Sequence, residues 1–176
     1  MIFLETGLNG VWHIKQERFS DGRGFLARTF CEGEFLKQGV AFHIKQTNIS
    51  FNYRAGTLRG MHFQQAPKQE SKLVRCSGGR IFDVAVDLRP ESTSYCRWFG
   101  LELSAENGDA LLVPAGCAHG FLTLEDNSEI LYQIDEAHAP ELAQGVRWND
   151  QAFKIEWPIK PTNINQRDAS WADFIP

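Results

Sequence analysis

Short apolar runs alternate with polar positions along the whole chain, and turn-forming residues separate them. Period-two alternation over four to eight residues is the signature of half-buried strands, and many such runs at short intervals indicate an all-β sandwich or barrel. The pattern predicts strands over 11–19, 41–50, 57–64, 72–77, 80–88, 96–103, 110–113, 120–124 and 129–134. One short helix is expected over 32–38, with a helical turn near 150–153. Gly78-Gly79 reads as a tight hairpin, since glycine adopts positive φ without steric cost. In 80–88, Phe82, Val84, Val86 and Leu88 form one face, while Ile81, Asp83, Ala85 and Asp87 form the other. Alternation alone leaves open whether Asp83 meets solvent or the interior of a barrel.

Composition narrows this picture. At 176 residues the chain suits one domain, 1–176, with a substantial core. Its 13 Phe and five Trp favour sheet surfaces. A formal net charge of -4 argues against general affinity for nucleic acid, so an anionic ligand needs a local basic cluster. Cys31, Cys76, Cys96 and Cys117 lack metal-ligand or disulfide-framework spacing and read as reduced, mostly buried thiols. No apolar run reaches the roughly 20 residues of a membrane span. Met1-Ile2-Phe3-Leu4-Glu5 has no basic region leading into an apolar core. The expectation is a cytosolic (cytoplasmic) protein with no membrane partner.

Candidate chemistry centres on two histidines in glycine-punctuated strands. His62 lies in Gly56-Thr57-Leu58-Arg59-Gly60-Met61-His62-Phe63-Gln64, and His119 in a stretch of the form G-x5-P-x-G-x2-H beginning at Gly108. The second pattern resembles the second signature motif of the cupin β-barrels. A metal cupin would carry His-x-His and a nearby Glu in the first motif, whereas Gln64 occupies the second histidine's place. Three or four ligands are the usual need of a metal, so acid–base chemistry without metal or cofactor is the better reading. His62 is a candidate base, Lys72 a candidate oxyanion partner and Tyr132 a candidate acid. Taken singly, each residue type also occurs in strands for packing or edge protection. Arg23, Arg28, Arg59, Lys72 and Arg75 lie in or beside these strands, and guanidinium forks match phosphate oxygens. Arg75 reads as ordinary surface charge.

Over nearly its whole length the chain resembles the dTDP-4-dehydrorhamnose 3,5-epimerases. The carriers are Asp21-Gly22-Arg23-Gly24-Phe25, Leu58 to Gln64, Lys72-Leu73-Val74-Arg75, Phe82 to Arg89, Leu103 to Asn107, Ala118-His119-Gly120-Phe121, Leu131-Tyr132 and Gly145-Val146-Arg147-Trp148. The resemblance implies an all-β, cupin-type jelly-roll barrel with a few short helices. It also implies a metal-independent homodimer, with N-terminal strands reaching across the interface. The substrate implied is a nucleotide-diphosphate sugar of the 4-keto-6-deoxyhexose type. His62 would then remove protons at C3 and C5, Lys72 would hold the enolate at O4, and Tyr132 would protonate the opposite face, most relevantly at C5. Asn165-Gln166-Arg167-Asp168 aligns with the family's Ser-x-Lys-Asp segment, making Asp168 the carboxylate that orients His62. Arg23, Arg59 and His119 match diphosphate or sugar positions, Gln46 and Asn48 match nucleoside contacts, and Phe25 belongs to the same substrate-binding set.

Two departures stand out. Where members commonly place a Glu that accepts from thymine N3–H, this chain has Arg28, which has no acceptor capacity. Cytosine offers acceptors, so a CDP-linked sugar is a chemical alternative to a dTDP-linked one; a solvent-facing Arg28 is equally open. His138 stands where Tyr is frequent beside the pocket, a change that bears on sugar fit. Epimerisation at a single carbon and a non-catalytic sugar-nucleotide-binding cupin are the remaining alternatives.

Overall fold

In the computed structural model, which describes residues 1–176, the chain begins with four short strands. These are β1 (Ile2–Glu5), β2 (Trp12–Lys15), β3 (Arg18–Asp21) and β4 (Gly24–Ala27), and helix α1 (Glu32–Lys37) follows. The barrel strands are then β5 (Gln46–Asn52), β6 (Thr57–Gln64), β7 (Lys72–Gly78), β8 (Arg80–Asp87), β9 (Trp98–Ser104), β10 (Ala110–Val113), β11 (Cys117–Thr123) and β12 (Ser128–Ile134). Short strands β13 (Ala143–Gly145) and β14 (Asn163–Ile164) and the one-turn helix α2 (Gln166–Ala169) complete the chain.

Two sheets face each other. One has the order β1-β2-β10-β7-β12-β5; the other runs β13-β6-β11-β8-β9, with β14 parallel to β6. Side chains alternate between a central core and two outer covers, as a two-sheet packing requires. Val74, Leu111 and Ile130 from the first sheet meet Ile81, Ala85 and Phe121 from the second in the centre. Leu73 and Leu112, one position away, pack outward beneath Phe35 of α1 and Phe42. Met61, Val84, Val86 and Ala118 pack outward beneath Val146 and Phe153. The jelly-roll expectation agrees with this architecture, and no helix is long and apolar enough to cross a membrane.

Several expectations need correction. Gly78-Gly79 is no hairpin: β7 and β8 belong to opposite sheets, so the two glycines carry the chain across the barrel. Gly79 does take positive φ, at 70°. The expected strand over 11–19 is broken, and β3 leaves the barrel to pair with β4 in a separate hairpin. β1 and β4 escaped the pattern, because four residues give too little alternation to recognise. β5 starts five positions later than expected, at Gln46. Arg75, expected at the surface, is buried, and its guanidinium donates to the Thr29 carbonyl at 2.6 Å. Both faces of β8 are covered, and Asp83 shares the inward face with Ile81 and Ala85.

Candidate active site

Strand parity aims the key side chains. On β7, Val74 points into the central core, so Lys72, two residues earlier, points inward too. On β12, Ile130 is a central residue, and Tyr132 shares its face. The β5 residues Gln46, Asn48 and Ser50 sit opposite Ile134, Tyr132 and Ile130 in the pairing register and line the same interior.

β6 breaks the alternation. Its pairing with β11 sets His62 opposite His119 and Arg59 opposite Phe121, so β6 spends one more residue than β11 between these points. This is the geometry of a β-bulge, which re-aims side chains by one position. Arg59 and His62, three residues apart, consequently line one cavity although strict alternation would separate them. Gly60 makes the bulge possible: its φ is 140°, and a Cβ there would lie 2.6 Å from the Cα of Gly120.

His62 meets its carboxylate from far along the chain. One ring nitrogen, Nε2, lies 2.7 Å from Oδ1 of Asp168 on α2. The His62 side chain is 39% exposed and that of Asp168 only 1%. Asp168 is fastened by three further contacts. The Gly60 N–H donates to its Oδ2 at 3.1 Å and the Asn165 amide at 3.3 Å, while Asn165 Oδ1 caps α2 by accepting the Asp168 N–H at 2.7 Å. Burial opposes charge on Asp168, but the hydrogen bond and charge of His62, helped by the Gly60 N–H, hold its carboxyl below the usual range. An ionised carboxylate only accepts, so the His62 proton sits on Nε2 and the Nδ1 lone pair is left free to accept a proton.

Two cavities of about 350 and about 200 Å³ converge on His62, Lys72 and Tyr132, which line both. The larger also touches Gln46, Asn48, Glu70, His138 and Arg167. The smaller adds Arg59, His119, Ser50 and Phe121. Tyr132 is pushed above the ordinary phenol range by burial and then by the charge of Glu70, with Arg59 opposing. It therefore stays a proton donor through neutral pH. Arg59 Nε donates to Asn52 Oδ1 at 2.7 Å, which fixes its guanidinium at the cavity wall. His119 Nε2 lies 2.8 Å from Oδ1 of Asp83, a second histidine–carboxylate pair inside the barrel.

Gln64 turns to the backbone. Its side chain donates to the carbonyls of Lys68 and Ala137, and accepts from the Ala139 N–H at 2.8 Å. It thereby ties β6 to the loop carrying His138. Burial raises the Cys76 thiol to about 11 and the Cys117 thiol to about 12, so neither is poised as a nucleophile.

Three expected site residues lie elsewhere in the protomer. Arg23 and Phe25 sit on the β3–β4 hairpin, where the Arg23 side chain is 91% exposed and bonded to Asp21 at 2.6 Å. Arg28 donates to Glu34 of α1 at 2.7 Å. Sequence reasoning in turn missed Glu70 and Arg167 and left Asp83 open. Glu70 had no strand pattern to place it. Asn165-x-x-Asp168, an N-cap residue followed three positions on by a carboxylate, was the available signal for α2.

The family model for dTDP-4-dehydrorhamnose 3,5-epimerase matches residues 5–175. A Sinorhizobium fredii protein of that name is 40% identical over 171 residues, covering 97% of this chain and 88% of its own. The crystal structure of the Elizabethkingia anophelis enzyme superposes with a TM-score of 0.96 at 35% identity, covering 99% of this chain and 96% of that one. The Bacillus anthracis enzyme, solved with TDP and PPi bound, gives 0.94 at 36% identity, with coverages of 98% and 99%.

Proposed function

Because the chain belongs to the dTDP-4-dehydrorhamnose 3,5-epimerase family, we propose that it inverts C3 and C5 of dTDP-4-keto-6-deoxyglucose, giving dTDP-4-keto-rhamnose. One observation carries the reading: His62, held by buried Asp168 on one side, shares a cavity with Lys72 and Tyr132 of the opposite sheet. The C4 ketone acidifies the C–H bonds on either side of it. Nδ1 of His62 takes one of those protons, the electron pair moves toward O4, and the Lys72 ammonium meets the developing oxyanion. Return of a proton to the other face inverts the carbon. At C5 that proton comes from Tyr132 and at C3 from solvent, which also restores both side chains.

Around this centre, Arg59 and His119 hold the diphosphate and sugar, Gln46 and Asn48 the nucleoside, and His138 borders the larger cavity. Arg23 and Phe25 serve through a homodimer, in which each β3–β4 hairpin completes the other protomer's site. The exposed Phe19, Phe25 and Leu26 of that hairpin support the arrangement, since a monomer leaves them in water. Free cysteines support a reducing, cytoplasmic setting.

The test is deuterium uptake from D2O into the substrate, without added metal and with a chelator present. Label at both C3 and C5 is the expected result. Label at C3 alone makes the protein a monoepimerase, and no label with either dTDP- or CDP-linked substrate removes the catalytic reading.

A further inference from the structure

Glu70 is not accounted for by the proton transfers above. Its Oε1 lies 2.9 Å from Nζ of Lys72, and the two side chains are 9% and 11% exposed. Both line the larger cavity together with His62 and Tyr132. An ion pair this deep is unlike the solvated pairs of the surface, such as Arg54–Asp126.

The segment bearing Glu70 is held in place. Ser71, between the two paired residues, donates its backbone N–H to Asp135 Oδ1 at 2.6 Å, and its hydroxyl accepts from the Ala115 N–H at 3.3 Å. The Asp135 N–H returns to the Ser71 carbonyl at 3.3 Å. The backbone next to Glu70 is thus anchored to the strand ends of the first sheet.

An ammonium has three N–H donors in a freely rotating head on a flexible stem. Alone in the cavity it has no fixed direction. With one N–H committed to Glu70, its remaining donors are confined to a cone, and its charge is balanced until an oxyanion forms. Resting on the epimerase reading, we infer that Glu70 is a positioning residue for the reaction, aiming the Lys72 ammonium at O4 of the sugar. The same carboxylate faces the other titratable groups of this cavity, His62 on β6, Tyr132 on β12, His138 on the following loop and Arg167 on α2.

The experiment measures kcat, KM and C3/C5 deuterium exchange with dTDP-4-keto-6-deoxyglucose for the full-length protein. It compares wild type, Glu70→Ala, Glu70→Gln, Lys72→Ala and the double variant Glu70→Ala/Lys72→Ala. Glu70→Ala is expected to lower kcat by about 10-fold or more, a part of the 10²–10³ that one oxyanion donor supplies, with KM changed less than about threefold. Glu70→Gln, which still accepts from Lys72 but lacks its charge, should fall between. The double variant should be no slower than Lys72→Ala, because Glu70 acts through that lysine. Unchanged kcat in both Glu70 variants, or an added loss on the Lys72→Ala background, overturns the inference. If Glu70→Ala does not fold, the near-isosteric Glu70→Gln decides by its kcat-against-KM split. A wild-type protein that exchanges neither proton overturns the epimerase reading itself, and the inference with it.

Discussion

His62 and Asp168 meet at 2.7 Å although 106 positions separate them, and the carboxylate is the buried member of the pair. His62 therefore stands at the cavity while Asp168 is sealed behind it, out of reach of solvent. That division suits a base that must keep one tautomer through repeated proton transfers.

Asp168→Asn tests the division. An amide presents either its oxygen or its N–H to His62 and no negative charge, so the tautomer is no longer enforced. Exchange at both carbons should fall by about 10²-fold or more. His62→Ala should lose exchange altogether, whereas Asp168→Asn should keep a remnant. Equal activity of Asp168→Asn and wild type would remove the pair from the mechanism.

Tyr132→Phe separates the two carbons. His62 retains its base, so C3 exchange should persist. Formation of the C5-inverted product should fall by about 10²-fold. NMR of the product mixture in D2O distinguishes the carbons. Loss of exchange at C3 and C5 alike would make Tyr132 a packing or binding residue instead.

The hairpin makes the proposed homodimer testable. Arg23→Ala and His62→Ala homodimers should each be impaired, the first mainly in KM. Mixing and refolding the two should form some dimers in which an intact His62 protomer receives an intact Arg23 hairpin from its partner. Activity of the mixture should then exceed that of either parent. No recovery, with mixed dimers verified by mass, would place Arg23 outside the partner's site. Adding Arg28→Glu to the wild type and comparing dTDP with CDP binding checks base reading: the Glu34 pair predicts little change in preference.

Gly60→Ala tests the bulge. The added Cβ collides with Gly120 and forces an unfavourable φ, so stability should drop by about 2 kcal/mol or more, read from urea midpoints. Activity of the folded remainder should fall as well, since Arg59 and His62 flank the bulge. A neutral substitution would show that the strand has room to relax.

Acid stability follows from two carboxylates. Asp87 is driven upward by burial but lowered further by hydrogen bonds from Arg89, Ser92 and Ser94, and Asp168 is also held low. For a depressed folded pKa, the stabilisation is fully present above the unfolded value near 3.8 and is lost as pH falls through the folded one. Urea midpoints should thus hold from neutrality to about pH 5 and decline steeply below pH 4. Asp87→Asn should start lower and decline less; parallel curves would assign the acid loss to other groups.

Much of this molecule is legible without coordinates. Period-two alternation located most barrel strands, and the spacing around Gly60 and His119, with Lys72 and Tyr132, pointed to acid–base chemistry inside a barrel. Alternation is local, set by the pleat of each strand, so sequence expresses it directly. What alternation cannot express is which sheet a strand joins, and Gly78-Gly79 illustrates this: a tight turn and a barrel crossover use the same residues. Tertiary structure alone decided that Asp83 faces inward to His119, that Glu70 reaches Lys72, and that Arg75 is buried. It also decided that one bulge brings Arg59 and His62 to a common cavity. Each depends on register between segments distant in the chain, where hydrogen bonding and packing of two strands set the alignment. Neither strand carries that alignment by itself.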